Sequence, residues 1–368
     1  MRSLGIVFAL GCAASALACS SILGLQEPTI DDGVADGNGA DSPASDSAQE
    51  GSPGDGGGAP VQLFNARVRR IAVDDTSVYY TEMFDYVVGK IGKDGTGQVA
   101  LGNGSAVTGY FPNTIAIDAT DVFWTSINGI HQCAKAGCGN APINVIDDNT
   151  STWGPGAIGV DATTIYFVNY DENAQTYSIQ KVPKGAANGT VTALVPTASL
   201  PCATINHMIL DGAYVYFTCD EGPVARASTS SGAVEVLTAA TPPPNPDTFV
   251  KTATSLYFGQ FLEQATIYQM PVATGSTPSP IALTQAYVNG MGVDSNYLYW
   301  ANVGVTLDNG GGTVNRCALT SCSTSTQTLA TKIDVPTDLA VDTTSIYWAA
   351  NGNGDTANTG VWKMDKPQ

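Results

Sequence analysis

The chain has 368 residues and a formal net charge of −18, with 15 basic against 33 acidic side chains. A nucleic-acid groove needs clustered Lys and Arg. Only Arg67, Arg69 and Arg70 approach such a cluster, which excludes nucleic acid as a partner.

The first elements are processing signals. Arg2 supplies a positive start, and Leu4 to Leu17 form an apolar run too short to cross a membrane as a helix. Ala16-Leu17-Ala18 then gives an A-x-A cleavage site before Cys19, so residues 1–18 read as a signal peptide. The same stretch resembles a bacterial lipobox, in which the Cys after the cut is lipidated. It departs from that pattern in having Ala16 where Leu is favoured. Cleavage there removes Cys12 and leaves Cys19 with Cys133, Cys138, Cys202, Cys219, Cys317 and Cys322. An odd cysteine in an exported protein needs a reason, and lipid on Cys19 supplies one. The alternative is a secreted protein with a spare thiol. Ser20 after Cys19 resembles the sorting pattern of outer-membrane lipoproteins, which implies a membrane tie by lipid anchor only. Residues 19–59 carry Glu27, Asp31, Asp32, Asp36, Asp41, Asp46, Glu50 and Asp55 with no basic residue. Low hydrophobicity and one-sign charge predict a disordered acidic tether, with a root-mean-square span of roughly 35 Å.

From residue 60 one phrase recurs seven times: Ile71–Tyr80, Ile115–Trp124, Ile158–Phe167, Met208–Phe217, Phe249–Phe258, Met291–Trp300 and Leu339–Trp348. A recurrence of this length fits one four-stranded propeller blade. Within each unit a first strand ends at an Asp-x-Thr-like turn, and a second strand carries two adjacent aromatics. A third strand follows, as in Val88-Gly89-Lys90-Ile91 and Val361-Trp362-Lys363-Met364, and a fourth closes the unit, as in Ile143-Asn144-Val145-Ile146-Asp147. These are short apolar or alternating runs bounded by Gly, Asn and Pro. The last unit lacks a fourth strand, while Pro60–Ala66 reads like one placed ahead of the first unit. The expectation is an all-β, seven-bladed propeller over residues 60–368, closed by pairing of the N-terminal strand with the last blade, and monomeric.

The repeated Asp74, Asp118, Asp161, Asp211, Asp294 and Asp342 are read as acceptors for turn amides, with Thr252 a weaker substitute. Cys133–Cys138 and Cys317–Cys322 lie too far apart around the ring to share a metal and are read as local disulfides. Cys202 and Cys219 bracket one face of blade four and form a plausible third. That face also carries loops with Phe84, Tyr110, Trp153, Tyr170, Asp171, Glu172, Asp220, Phe261 and Tyr287. Aromatic faces beside carboxylates suit a sugar, a cation or a partner protein. Asp147-Asp148-Asn149 and Asp171-Glu172-Asn173 lack calcium-loop spacing, and neither a metal nor a cofactor is expected. His131 is placed in an outer strand and read as solvated; His207, with Glu221 nearby, is the one imidazole placed for acid–base work.

The pairing of Ile-Ala-Val-Asp with Val-Tyr-Trp-Thr resembles the YWTD repeat of the low-density-lipoprotein receptor family, best at Ile115–Thr125 and Leu339–Ala349. That family implies a six-bladed, protein-binding propeller, and the seven copies here depart from it. Gly312–Cys322 is similar to repeats in exported lipoproteins of myxobacteria. Paired His207 and Glu221 are similar to the His and Glu near the axis of some seven-bladed lyases. The readings carried forward are an envelope-anchored propeller that binds a protein or glycan, a hydrolase or lyase using His207, and a structural envelope lipoprotein.

Overall fold

A computed structural model describes residues 58–82, 84–102, 112–127, 129–147, 153–220, 222–239, 245–305, 310–352 and 358–367. The predicted signal peptide, Cys19 and all but the last two residues of the predicted tether lie outside these residues.

Twenty-eight strands form seven four-stranded antiparallel sheets. Strand β1 (Val61–Phe64) precedes blade one, which comprises β2 (Val68–Val73), β3 (Ser77–Glu82), β4 (Val87–Gly92) and β5 (Val99–Gly102). Blade two is β6 (Ile115–Ile117), β7 (Asp121–Ser126), β8 (Gly129–Ala134) and β9 (Ile143–Asp147). Blade three is β10 (Trp153–Val160), β11 (Thr164–Asp171), β12 (Thr176–Pro183) and β13 (Thr192–Val195). Blade four is β14 (Ile205–Asp211), β15 (Tyr214–Cys219), β16 (Val224–Ser228) and β17 (Val234–Val236). Blade five is β18 (Thr248–Lys251), β19 (Ser255–Gly259), β20 (Ala265–Pro271) and β21 (Ser279–Gln285). Blade six is β22 (Val288–Val293), β23 (Tyr297–Asn302), β24 (Gly312–Ala318) and β25 (Gln327–Ile333). Blade seven is β26 (Pro336–Val341), β27 (Ser345–Ala350) and β28 (Gly360–Asp365), with β1 paired antiparallel to β28 as its fourth strand. The first strands of consecutive blades pack side by side around the ring, so they form the wall of the central channel. The one helical segment among the described residues is the short turn Thr197–Ser199.

The aromatic doublet explains how the blades adhere. Neighbouring residues on a strand point to opposite faces of the sheet, so each doublet serves two interfaces. Tyr79 of blade one packs with Trp124 of blade two, and Phe123 of blade two packs with Phe167 of blade three. The pattern continues as Tyr166 with Phe217, Tyr216 with Phe258, Tyr257 with Trp300 and Tyr299 with Trp348. Tyr347 with Tyr80 completes the circle. Each interface therefore buries one ring from the blade before it and one from the blade after it. Burying a ring of this size stabilises by about 1.5–3 kcal/mol.

The turn aspartates act as the sequence predicts at five positions. Asp74, Asp118, Asp161, Asp294 and Asp342 each accept two turn amides at 2.7–2.9 Å. Thr252 accepts the Ser255 amide at 3.1 Å. Asp211 differs: it pairs directly with Tyr214 across a turn that has Gly212 at φ 57°, and its carboxylate bonds Lys251 of the next blade. The left-handed glycine tightens that hairpin and replaces the side-chain-capped turn.

The same turns carry a lock between blades. Lys93, Lys135, Lys184 and Lys366 follow the third strands of blades one, two, three and seven. Each reaches back to the turn Asp of the preceding blade: Asp342 at 2.6 Å, Asp74 at 2.7 Å, Asp118, and Asp294 at 2.6 Å. Each ammonium also lies 5.1–5.5 Å from the first aromatic ring of that blade. Lys251, from another strand, serves Asp211 and Tyr216 in the same way.

All three cysteine pairs are disulfides: Cys133–Cys138, Cys202–Cys219 and Cys317–Cys322. The first and third close β8–β9 and β24–β25 on the side of the Asp turns, and the second lies on the opposite side. No helix among the described residues is long and apolar enough to cross a membrane.

Candidate functional site

The channel wall is built by a recurring irregularity. In β2, β10, β14, β22 and β26 the register slips near the start of the strand. A bulge of this kind re-aims side chains. Its residues tie one blade to the next. Arg70 donates to the Thr337 carbonyl, Thr337 Oγ1 donates to Val68 O at 2.8 Å, and the Ile71 amide donates to Asp338 Oδ2 at 2.9 Å. Asn289 Nδ2 donates to Pro336 O at 3.1 Å, and Thr114 Oγ1 donates to Gly156 O at 2.9 Å. Gly290 is required at its bulge, since a Cβ there would come within 2.7 Å of the Leu339 nitrogen.

His207 belongs to this wall. It is enclosed by protein and lies edge-on to Phe249 at 5.3 Å, yet it retains partial contact with solvent. Asp338 has the same combination. Groups surrounded by protein but reached by water are what a narrow polar channel produces. Burial, with the Arg70 charge adding to it, pushes the His207 imidazole down to about 4. Its Nδ1 has no hydrogen-bond partner. It is a neutral imidazole at physiological pH.

Toward the loop-rich mouth, aromatics and carboxylates form an arc over blades three to six. Tyr170 and Tyr177 approach at 4.9 Å between centroids, and Phe261 and Tyr287 at 5.1 Å. Between the pairs lie exposed Asp220 and half-buried Asp247. Asp247 Oδ2 accepts the Phe261 amide at 2.7 Å, and its Oδ1 accepts from Asn206 Nδ2 at 3.5 Å. Burial and the nearby Asp220 charge push Asp247 up to about 6 against that amide bond. Burial, Tyr170 and Asp220 likewise raise the Tyr177 phenol. Asp220 is held in place from both sides: its amide bonds Thr204 O at 3.1 Å, and its neighbour Cys219 is tied to Cys202.

The predicted site residues divide accordingly. Tyr170, Asp220, Phe261 and Tyr287 fall on the arc. Phe84 stands apart on blade one, 42% exposed, with the Arg67 guanidinium 4.6 Å from its centroid. Near it, burial and the Asp85 charge push Glu82 up to about 7. Asp171 Oδ1 is taken by the Asn173 and Ala174 amides at 2.9 Å, so it shapes its hairpin, and Glu172 is exposed in that turn. Tyr110 and Glu221 lie outside the described residues, as do Asp148 and Asn149, and only the backbone of Trp153 is described. Tyr177, Asp247 and Asn206 were missed by sequence reasoning. Asp247 lies just ahead of a first strand, where the other blades place their bulge residues, and that alignment could have found it.

His131 corrects a prediction. It is 4% exposed, not solvated. Its Nε2 bonds Ser126 Oγ at 2.8 Å, its Nδ1 bonds Asn144 Oδ1 at 2.9 Å, and Trp124 stacks on it at 5.5 Å. Burial holds its imidazole below the usual range, against the Asn144 bond and the Asp147 charge. Ser126 is only 2% exposed, so this relay presents no accessible nucleophile and serves as a satisfied polar network.

The fold and the channel mouth define a seven-bladed propeller with a polar axis. Among solved structures, the chain is similar to virginiamycin B lyase from Staphylococcus aureus, at 16% identity and a TM-score of 0.63, over 84% of this chain and 98% of that one. A streptogramin B lyase matches at 13% identity and 0.61, over 83% and 97%. The WD40 propeller domain of Doa1 matches at 12% and 0.57, over 85% and 98%. At these identities the likeness is one of fold. Neither known protein families nor curated proteins give a match.

Proposed function

We propose that this protein is an envelope-anchored binding protein whose propeller takes a protein or glycan ligand on its loop-rich face. The observation that carries the reading is the arc of Tyr170, Tyr177, Asp220, Asp247, Phe261 and Tyr287, gathered from separate blades at one channel mouth. Ligand sites collect on loops held by a rigid scaffold. The anchor is supported by the signal sequence, the lipobox-like Ala16–Cys19 and the single unpaired cysteine left after three disulfides. Mass spectrometry of the mature N-terminus tests it: a lipid-modified Cys19 is expected, and an unmodified one makes the protein secreted.

A second reading, a hydrolase or lyase at His207, is favoured by the neutral, unpartnered imidazole in the channel and by the fold likeness to two lyases. One comparison separates the readings. Immobilised wild type, Tyr170→Ala, Phe261→Ala and His207→Ala proteins are exposed to fractionated envelope glycans and proteins. Bound material is identified, and product formation is followed by mass. The binding reading expects capture to fall about tenfold in both arc variants with no turnover. Capture that is unchanged in both arc variants would sink it. Turnover abolished by His207→Ala would replace it with the enzymatic reading.

A further inference from the structure

We infer that the arc at the channel mouth is a receptor for basic side chains, and that its ligand is a polypeptide presenting Arg or Lys. The inference rests on the proposed binding role of this face and specifies its chemistry. The molecule itself shows how it holds a cation. Lys93, Lys135, Lys184, Lys251 and Lys366 each pair with a carboxylate and lie 5.1–5.5 Å from an aromatic ring. Arg226 repeats the arrangement, with Glu235 at 2.7 Å and the Tyr214 centroid at 4.1 Å. At the mouth the carboxylates and rings are present in the same combination. Among the described residues neither Asp220 nor Asp247 makes an ion pair.

Three further observations point the same way. Burial and then the Asp220 charge disfavour the Asp247 carboxylate, and a cation beside it relieves that cost. The rings stand on either side of the carboxylates, Tyr170 and Tyr177 on blade three, Phe261 and Tyr287 on blades five and six. A long basic side chain can lay its apolar stem on a ring while its charged head pairs with an acid. The net charge of −18 draws a basic partner toward the protein before contact. A neutral sugar would use the rings and leave the Asp247 charge uncompensated.

Isothermal titration of the full mature protein with a tetra-arginine peptide, at neutral pH and low salt, reads the site. Saturable binding with one peptide per protein is expected. It should weaken about tenfold in Asp220→Asn/Asp247→Asn and in Tyr177→Ala, and recover in Tyr177→Phe, which keeps the ring. Asp75→Asn, an exposed acid at a turn on the opposite face, is the control and binds as wild type. Circular dichroism melting of each variant confirms that it is folded. Absence of peptide binding overturns the inference. So does equal weakening by Asp75→Asn, which marks diffuse attraction, or binding of a neutral glycan oligomer alone. If an envelope ligand is still lost in Tyr170→Ala but untouched by the Asn pair, the binding role of the face stands and its basic-peptide chemistry falls.

Discussion

Deleting residues 59–66 is expected to lower the unfolding midpoint steeply and to increase self-association. These few residues contain β1, the fourth strand of blade seven, and their loss acts at three levels. Leu63 leaves the cluster that joins blades seven and one, where it packs with Val68, Ile71, Tyr347 and Val361, and Phe64 leaves the Tyr80 ring 4.4 Å away. Gln62 Nε2 no longer donates to Thr359 O at 2.6 Å, and Thr359, itself 2% exposed, loses its bond to Asn65 Oδ1 at 2.6 Å. The outer edge of β28 is left with unpaired amides and carbonyls, the template for strand addition from another chain. Leu63→Ala isolates the packing part, at about 2–5 kcal/mol. Gly360→Val isolates the pairing part. Gly360 has φ 107°, and a Cβ there would meet Phe64 O at 2.0 Å, so β1 must lift away. Melting by circular dichroism and sizing by light scattering measure both effects. A truncated protein that melts and sizes as wild type would show that closure does not depend on β1.

Position in the repeat made the fold legible, because each blade states its strands in the same order. The aromatic doublet marked core directly, and the terminal imbalance of strands pointed Pro60–Ala66 to the last blade, where β1 pairs with β28. What escaped was whatever departs from the repeat or acts between copies. His131 was misjudged because an outer strand was taken as exposed. His131 lies directly across from Trp124 of its own blade, on the face packed against blade one, and that ring covers the imidazole. Asp211 was misjudged because its place in the repeat was weighed above its neighbours, Gly212 and Ala213, where the other Asp turns have no Gly and end in Thr or Asn. Asn206, Asp247 and Asp338 sit at or just before the start of their first strands, ahead of the repeated phrase, so only an alignment carried back to the bulge positions brings them together. The interblade lysines were present in the sequence, two residues past the core position of strand three. They show as a repeat only when the units are aligned on that core residue.

Those lysines lead to a defined pH profile. The carboxyls of Asp74 and Asp342 are held far below the usual range. Burial works against this, and the bonds from Lys135 or Lys93, the turn amides and the Tyr79 or Tyr347 hydroxyl overcome it. Asp118, Asp161 and Asp294 are lowered in the same direction by the same kinds of bond, Asp161 without a lysine. A carboxyl whose folded pKa lies below its unfolded value of about 3.9 stabilises fully above that pH, and the contribution is lost as pH falls further. Glu82 and Asp247, pushed up to about 7 and about 6, act with the opposite sign. Their folded forms hold the proton more tightly, so they add stability as pH falls below those values and none at higher pH. His207 and His131, held below the usual imidazole range by burial, oppose them below about pH 6.5, so the midpoint should rise from pH 8 to about 6.5, stay nearly level to about 5, and fall below about 4. A midpoint that falls steadily from pH 8 to 5 would contradict this assignment.

The lysine position itself predicts the largest single-residue loss on this face. Seven residues occupy it, each with its amide bonded to the same point of its own blade: Lys93, Lys135, Lys184, Thr229, Val272, Leu319 and Lys366. Leu319 faces the one turn that has Thr252 in place of Asp, so where the acid is missing its lysine is missing too. Val272 faces Asp211, which takes Lys251 instead. Thr229 faces Asp161, whose carboxylate has the turn amides and Tyr166. An ion pair as enclosed as Lys93–Asp342, with side chains 16% and 19% exposed, gains little over an apolar pair but costs heavily when one partner is removed. Asp342→Ala strands the ammonium and frees two turn amides, and should cost about 2–4 kcal/mol. Lys93→Met keeps the stem over Tyr347 and should cost less. In the double variant the two losses should fall short of their sum by about 1–2 kcal/mol. The reverse construction is the sharper test. Thr252→Asp alone places an acid against Leu319, and Leu319→Lys alone buries an ammonium against Thr252, so each should destabilise. Together they should recover most of the loss by forming the missing lock, read as coupling in a double-mutant cycle of urea unfolding. Additive effects in that cycle would mean that the lysines pack as stems and that their charge is incidental.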